Sequence, residues 1–180
     1  MIKFEVAKGY EDKNIALPAR KTADSAGYDF EVAEDTLIPP YNYLMNEIVT
    51  YIGLDKINDP VTLDEMAKIT KAAYAKPTLV PTGIKARMPH DMYLELSVRS
   101  SCPLKYWLLL ANSEGIIDAD YYNNSQNDGH IFFQVINLSP VPIILKKGDI
   151  IGQGIFKHYD ITTDDNASGT REGGFGSTSK

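Results

Sequence analysis

Between residues 92 and 98 the chain alternates strictly, with Met92, Leu94, Leu96 and Val98 at every second position. That period places side chains on opposite faces of a sheet, so the segment is readable as a half-buried strand that needs strand neighbours. The same alternation recurs at Ile2, Phe4 and Val6 and at Tyr28, Phe30 and Val32. Short apolar runs at 107–111, 131–136, 143–145 and 150–156 follow, separated by Gly, Pro, Asn and Asp. Turn signals at roughly 8- to 12-residue spacing are those of an antiparallel sandwich or barrel. The expected fold class is therefore all-β. With 180 residues, 43% of them hydrophobic, the chain can bury one core but hardly two, and a single domain is expected over residues 1–163.

One segment breaks the rhythm. From Tyr41 to Asn58 the apolar residues Leu44, Met45, Ile48, Val49 and Ile52 recur at helical spacing, and Met66, Ala67, Ile69 and Ala73 do likewise. Thr62 and Glu65 form a Thr-x-x-Glu capping box after Pro60, and Pro77 closes the second pattern. The expectation is a helical hairpin inserted at about 42–77, either covering an open face of the β core or acting as a lid or as a holder of a protein partner. Residues 164–180 hold four Gly, three Ser and two Thr but one large apolar residue, Phe175, which predicts a flexible Gly-rich C-terminal arm.

Composition narrows the function. With 18 Lys and Arg against 24 Asp and Glu, a net charge of −6, no basic field points to nucleic acid or an anionic membrane. A single cysteine, Cys102, leaves no internal disulfide and fits a reducing compartment. Residues 1–10 lack the pattern of a signal peptide, and no apolar run reaches the ~18 residues of a membrane span. The expected location is the cytoplasm, bacterial or that of a host. His90, His130 and His158 are scattered outside any metal-binding motif, and neither of the common Gly-rich phosphate loops occurs.

Three segments carry candidate chemistry. Arg99, Ser100 and Ser101 follow the alternating strand, and a guanidinium fork with two hydroxyls suits phosphate oxygens, although Arg99 taken alone reads first as a surface ion pair. Asn112 to Tyr121 reads Asn-Ser-Glu-Gly-Ile-Ile-Asp-Ala-Asp-Tyr. Asp118, after apolar residues, is placed either as a base toward water or as a turn residue, and Asp120 is read as facing solvent. Arg171 to Thr178 offers a cation, Gly amides able to form an anion nest and the Phe175 ring, or simply a solubilising tail.

Taken in order, these segments resemble the five motifs of the trimeric deoxyuridine triphosphatase (dUTPase) family. Ser25-Ala26-Gly27-Tyr28-Asp29-Phe30 resembles the first, Arg99-Ser100-Ser101 the second, Asn112 to Tyr121 the third, Gly148-Asp149-Ile150-Ile151-Gly152-Gln153 the fourth and Arg171 to Thr178 the fifth. The resemblance implies a distorted jelly roll of the β-clip type, a homotrimer with shared active sites, and Mg²⁺-dependent hydrolysis of dUTP to dUMP and pyrophosphate. It implies that Asp118 activates the attacking water and that Tyr121 packs under the deoxyribose. Asn112 and the backbone of Gly115, Ile116 and Ile117 would read uracil. Arg99, Ser100, Ser101 and Gln153 would hold phosphates, Arg171, Gly176, Ser177 and Thr178 would close over the γ end, and Phe175 would stack on the base. Mg²⁺ would be held mainly by substrate phosphates, with Asp29 as an indirect acidic support.

The chain also departs from the pattern. Val98 stands where the second motif often has Pro, Ile150 where the fourth often has Arg, and Asn123 where a Gly usually follows Tyr121. The polar stretch through Asn127-Asp128-Gly129 predicts a lengthened hairpin behind the base pocket. Two other functions are carried as alternatives: a dCTP deaminase-like or bifunctional enzyme, which would need a catalytic Glu, and a nucleotide-gated binding protein acting through the insert.

Overall fold

The computed structural model describes residues 1–41, 76–169, Arg171, Gly173 and Gly174. The expected hairpin at 42–77, apart from Lys76 and Pro77, lies outside these residues, as do Phe175, Gly176, Ser177 and Thr178.

The described chain is built from strands. In order they are β1 (Lys3–Val6), β2 (Tyr28–Glu31), β3 (Thr36–Ile38), β4 (Thr78–Pro81), β5 (Ile84–Arg87) and β6 (Met92–Val98), then β7 (Leu108–Leu110), β8 (Gly115–Asp118), β9 (Phe132–Asn137), β10 (Ile143–Leu145) and β11 (Ile150–His158). One short helix, α1 (Ser101–Tyr106), and one 3₁₀ turn (Ala119–Tyr121) are the helical elements among the described residues. The larger sheets run β2-β11-β6-β8 and β4-β9-β7, flanked by the ribbons β1-β5 and β3-β10.

The alternation of β6 does what its period demands. Met92, Leu94 and Leu96 are buried while Tyr93, Glu95 and Ser97 are only half-buried. Leu94, Leu96, Phe30 and Ile151 of the four-stranded sheet meet Val80, Phe133, Val135, Leu108 and Leu110 of the three-stranded one in a single core. Each large apolar side chain buried there contributes roughly 1.5–3 kcal/mol. The sheets touch through Phe30 and Phe133, edge to face at 5.7 Å, and they approach closely because β11 carries Gly152. A Cβ there would lie 2.2 Å from Phe133 Cε1 and 2.5 Å from the Ser97 carbonyl oxygen.

Two expectations change. Trp107 does not open a strand: it ends α1 in the left-handed conformation at φ +54, its N–H bonded back to the helix, and its side chain is 63% exposed. The strand starts at Leu108. Nor do the residues around the base-pocket segment form a hairpin. β8 pairs with β6, whereas β9 pairs with β4 and β7, so residues 119–131 cross from one sheet to the other.

Candidate active site

The seam left by that crossing is a cleft of about 200 Å³. Five expected residues line it, Asn112, Gly115, Ile116, Ile117 and Tyr121, and Arg171 comes from the arm to join them. Gly115 is the register partner of Leu96 on β6. A Cβ at Gly115 would already sit 3.1 Å from Leu96 Cβ, so a side chain there would crowd the strand that forms the cleft wall.

Asp118 ends β8, and its side chain is 45% exposed. Arg171, only 20% exposed, bonds Asp118 Oδ2 through Nη2. Its Nε lies 2.9 Å from Asp120 Oδ1, close enough for an ion pair but off the hydrogen-bond direction, so this buried N–H has no hydrogen-bond acceptor. Asp120 faces solvent as expected, its side chain 58% exposed, and also meets the same cation as Asp118. The cause is local: the backbone leaves strand geometry at Ala119 for a 3₁₀ turn, and strand parity stops applying.

Tyr121 is 4% exposed. Its hydroxyl donates to the His130 carbonyl at 2.9 Å and accepts from Asn127 Nδ2 at 2.7 Å, while burial pushes the phenol pKa upward. The Arg171 guanidinium lies 5.8 Å from the ring centroid. Gly174 of the arm rests on the ring edge, where a Cβ would come within 2.7 Å of Tyr121 Cε2. His130 is itself buried, its Nε2 accepting from Gly83 N at 2.8 Å, and burial lowers its pKa to about 4.

The other expected residues gather elsewhere on the same sheet. Asp29 on β2, Gln153 on β11 and Ser97 on β6 stand opposite one another across three strands, and directly opposed residues share a face. Gln153 folds over Gly27, whose missing Cβ leaves the space its amide occupies. Arg99 and Ser100 are exposed just past the end of β6, and Ser100 caps α1 without using its side chain. Asp118 pairs with Tyr93 near the start of β6, whereas Arg99 lies six residues further along the chain, about 20 Å at ~3.3 Å per residue.

Comparison with known proteins decides the family. A family model described as dUTPase matches residues 65–179. The deoxyuridine 5'-triphosphate nucleotidohydrolase of Lactococcus lactis subsp. lactis (strain IL1403) is 36% identical over 177 residues, covering 97% of this chain and 95% of that protein. This chain belongs to the dUTPase family. The crystal structure of the Streptococcus mutans dUTPase, 36% identical, superposes with a TM-score of 0.66 over 88% of this chain and 97% of that one. The dUTPase of phage phi11 of S. aureus, at 13% identity, shares the fold with a TM-score of 0.61 over 94% and 97% of the two chains. The all-β architecture is thus that of the dUTPase jelly roll.

Within this dUTPase, the sequence reading missed Leu96, Leu110, Phe132 and Gln134 in the cleft lining and Ser97 in the polar row. Parity could have found most of them. Phe133 and Val135 are buried on β9, so Phe132 and Gln134 must face the opposite way, and Ser97 faces away from buried Leu96 by the same rule.

Proposed function

We propose that the protein is a dUTP diphosphatase, hydrolysing dUTP to dUMP and pyrophosphate in the cytoplasm, which limits uracil incorporation into DNA and supplies dUMP. The observation that carries this reading is a cleft lined by Asn112, Tyr121 and Arg171, with Asp118 bonded to that Arg171, in a chain of the dUTPase family. Asn112 and the backbone of Gly115, Ile116 and Ile117 read the uracil edge by hydrogen bonds. A site built that way rejects a base with the wrong donor pattern by leaving its own polar groups unpaired. Tyr121 packs under the deoxyribose, where a 2′-hydroxyl would be crowded and stripped of water.

In hydrolysis, a water oxygen attacks the α-phosphorus while Asp118 accepts its proton; the bond from the α-phosphorus to the bridging oxygen breaks, and pyrophosphate leaves. Arg99, Ser100, Ser101 and Gln153 hold phosphate oxygens, and the arm, residues 164–180, brings Arg171, Gly176, Ser177 and Thr178 over the γ end with Phe175 on the base. Closing the arm excludes bulk water, which strengthens these contacts. Arg171, which neutralises Asp118 and Asp120 without nucleotide, turns to the phosphates and releases the catalytic carboxylate.

Mg²⁺ fits this donor set. Among the described residues no group of three or more His, Cys, Asp or Glu converges on one point, and Mg²⁺ commonly binds through substrate phosphates while keeping several waters. Asp29, in line with Gln153, is the acidic support. When bound, the ion neutralises the phosphate charge. The separation of about 20 Å between Arg99 and Tyr93, the β6 partner of Asp118, supports a homotrimer in which one subunit's cleft is completed by another subunit's polar row.

The test is pyrophosphate release from dUTP with Mg²⁺, with dCTP, dTTP and UTP as comparators. Cleavage of dUTP alone is expected, with Asp118→Asn lowering kcat by about 10²–10⁴, the range lost with a general base. A folded protein that leaves dUTP intact overturns the reading.

A further inference from the structure

The stretch after Tyr121, where the chain departs from the family pattern, is a polar scaffold packed behind the tyrosine ring. Asn124 is buried and works in both directions: its Nδ2 donates to the Tyr121 carbonyl at 2.9 Å and to Asn127 Oδ1 at 2.7 Å, while its Oδ1 accepts from the backbone N–H groups of Gln126 and Asn127 at 3.1 and 3.2 Å. Asn127 Oδ1 also accepts from Gly129 N at 3.1 Å. The loop presses so closely on the chain it serves that a Cβ at Gly129, φ +79, would lie 2.8 Å from the Tyr121 carbonyl oxygen. Lys85 fixes the outer side through Asn123 Oδ1 at 2.7 Å and Asp128 Oδ2 at 2.8 Å.

These bonds determine how the Asn127 amide must point. With Oδ1 accepting from Asn124 and Gly129, Nδ2 is the group left to face the Tyr121 hydroxyl, 2.7 Å away. The hydroxyl has one proton and gives it to the His130 carbonyl, which can only accept. Its other partner must therefore be a donor, and Asn127 supplies one. The long axis of the ring is thus pinned at both ends, at its backbone by Asn124 and at its hydroxyl by Asn127 and His130.

The geometry points to Asn127 as a specificity-determining positioning residue, which holds Tyr121 rigid against the sugar and so sets how strongly a ribonucleotide is rejected. This rests on the dUTP diphosphatase reading and adds a residue that never touches the nucleotide. A flat apolar ring rejects one extra hydroxyl only as far as the ring cannot yield, and a hydrophobic surface alone discriminates poorly against an added hydroxyl. Tilting the ring would also disturb the seat of Gly174 on its edge.

The experiment measures kcat and KM for dUTP and UTP with the full-length protein, Asn127→Asp, Tyr121→Phe and the double variant. Asn127→Asp keeps the shape and the acceptor used by Asn124 and Gly129 but offers no donor, so the single phenol proton can serve either the His130 carbonyl or the new carboxylate and the hydroxyl can no longer hold both contacts at once. The expected result is a fall of about tenfold in the dUTP-to-UTP ratio of kcat/KM, the worth of one buried hydrogen bond. It should arise mainly from faster turnover of UTP, with a similar fall in Tyr121→Phe and no further fall in the double variant. A purely structural role would lower activity on both nucleotides alike, and an unchanged ratio overturns the inference, as do two falls that add in full. If Asn127→Asp does not fold, Tyr121→Phe decides: an unchanged ratio shows the pinned hydroxyl is irrelevant, and a fall supports the inference. Wild-type protein inert toward dUTP overturns the parent reading and the inference with it, whereas active wild type with an unmoved ratio overturns the inference alone.

Discussion

The cleft and the polar row are organised in opposite ways, although both are built on β6. In the cleft most functional groups already have partners inside the chain: Tyr121 through Asn127 and His130, Asp118 through Arg171. In the row, Arg99 and Ser100 stand exposed beyond the strand end, and Gln153 is held mainly by the space over Gly27. On the proposed reading, folding of one chain preorganises the base and sugar side. The proposed phosphate side presents the Arg99 cation and the Ser100 hydroxyl to solvent, which would suit a highly charged ligand.

The sharpest way to break this contrast is to separate the halves genetically. Asp118→Asn and Arg99→Ala should each be nearly inactive, yet co-refolded as a mixture they should recover activity, since about one quarter of the sites in random homotrimers would pair an intact cleft with an intact row. Recovery by hundreds of fold over either variant is expected in a dUTP hydrolysis assay. If mixing restores nothing while mixed trimers form, each site belongs to one chain.

Much of this architecture was legible because period two is a strong signal. The buried faces of β6 and β9 follow from Leu94, Leu96, Phe133 and Val135, and the order of the five segments led to the family. The pairing of Asp120 with Arg171 was not legible, because parity fails where the backbone enters the 3₁₀ turn at Ala119. Trp107 reads as strand by its apolar neighbours, but the left-handed cap is a property of how α1 ends. The Asn124–Asn127 scaffold looks like a polar loop in sequence; its function depends on which two sheets residues 119–131 connect, a tertiary fact that no local pattern encodes.

Glycine substitutions sharpen the contrast from the stability side. Gly152→Ala places a Cβ against Phe133 and the Ser97 backbone, neither of which can move without opening the core. A loss of about 3 kcal/mol is expected in urea unfolding, at the upper end of the cost of overpacking. A loss below about 1 kcal/mol would mean the sheets are less tightly apposed than the structure shows.

Protonation probes the support behind Tyr121. His130 has its pKa lowered to about 4 by burial against an ordinary value of 6.5. The unfolded chain binds its proton first, so the stability this residue contributes is complete above pH 6.5 and is lost as the pH falls toward 4. That is on the order of 3 kcal/mol. Unfolding midpoints between pH 7 and 4.5 should fall steeply in wild type and less so in His130→Gln; equal slopes would remove His130 as the cause.

The smallest effect is expected at Gly27→Ala. Its Cβ would fall 2.3 Å from Gln153 Oε1, but that atom is the far end of a flexible side chain, which can swing aside where the neighbours of Gly152 cannot. Stability should change by less than about 1 kcal/mol, while the displaced amide loses a phosphate contact worth roughly tenfold in affinity for the charged ligand. KM for dUTP should rise several-fold with a smaller change in kcat, since a contact made equally in ground and transition states affects binding before chemistry. The reverse pattern, a large loss of stability with KM intact, would show that Gly27 is a packing glycine like Gly152, and the polar row would then share the rigidity of the cleft.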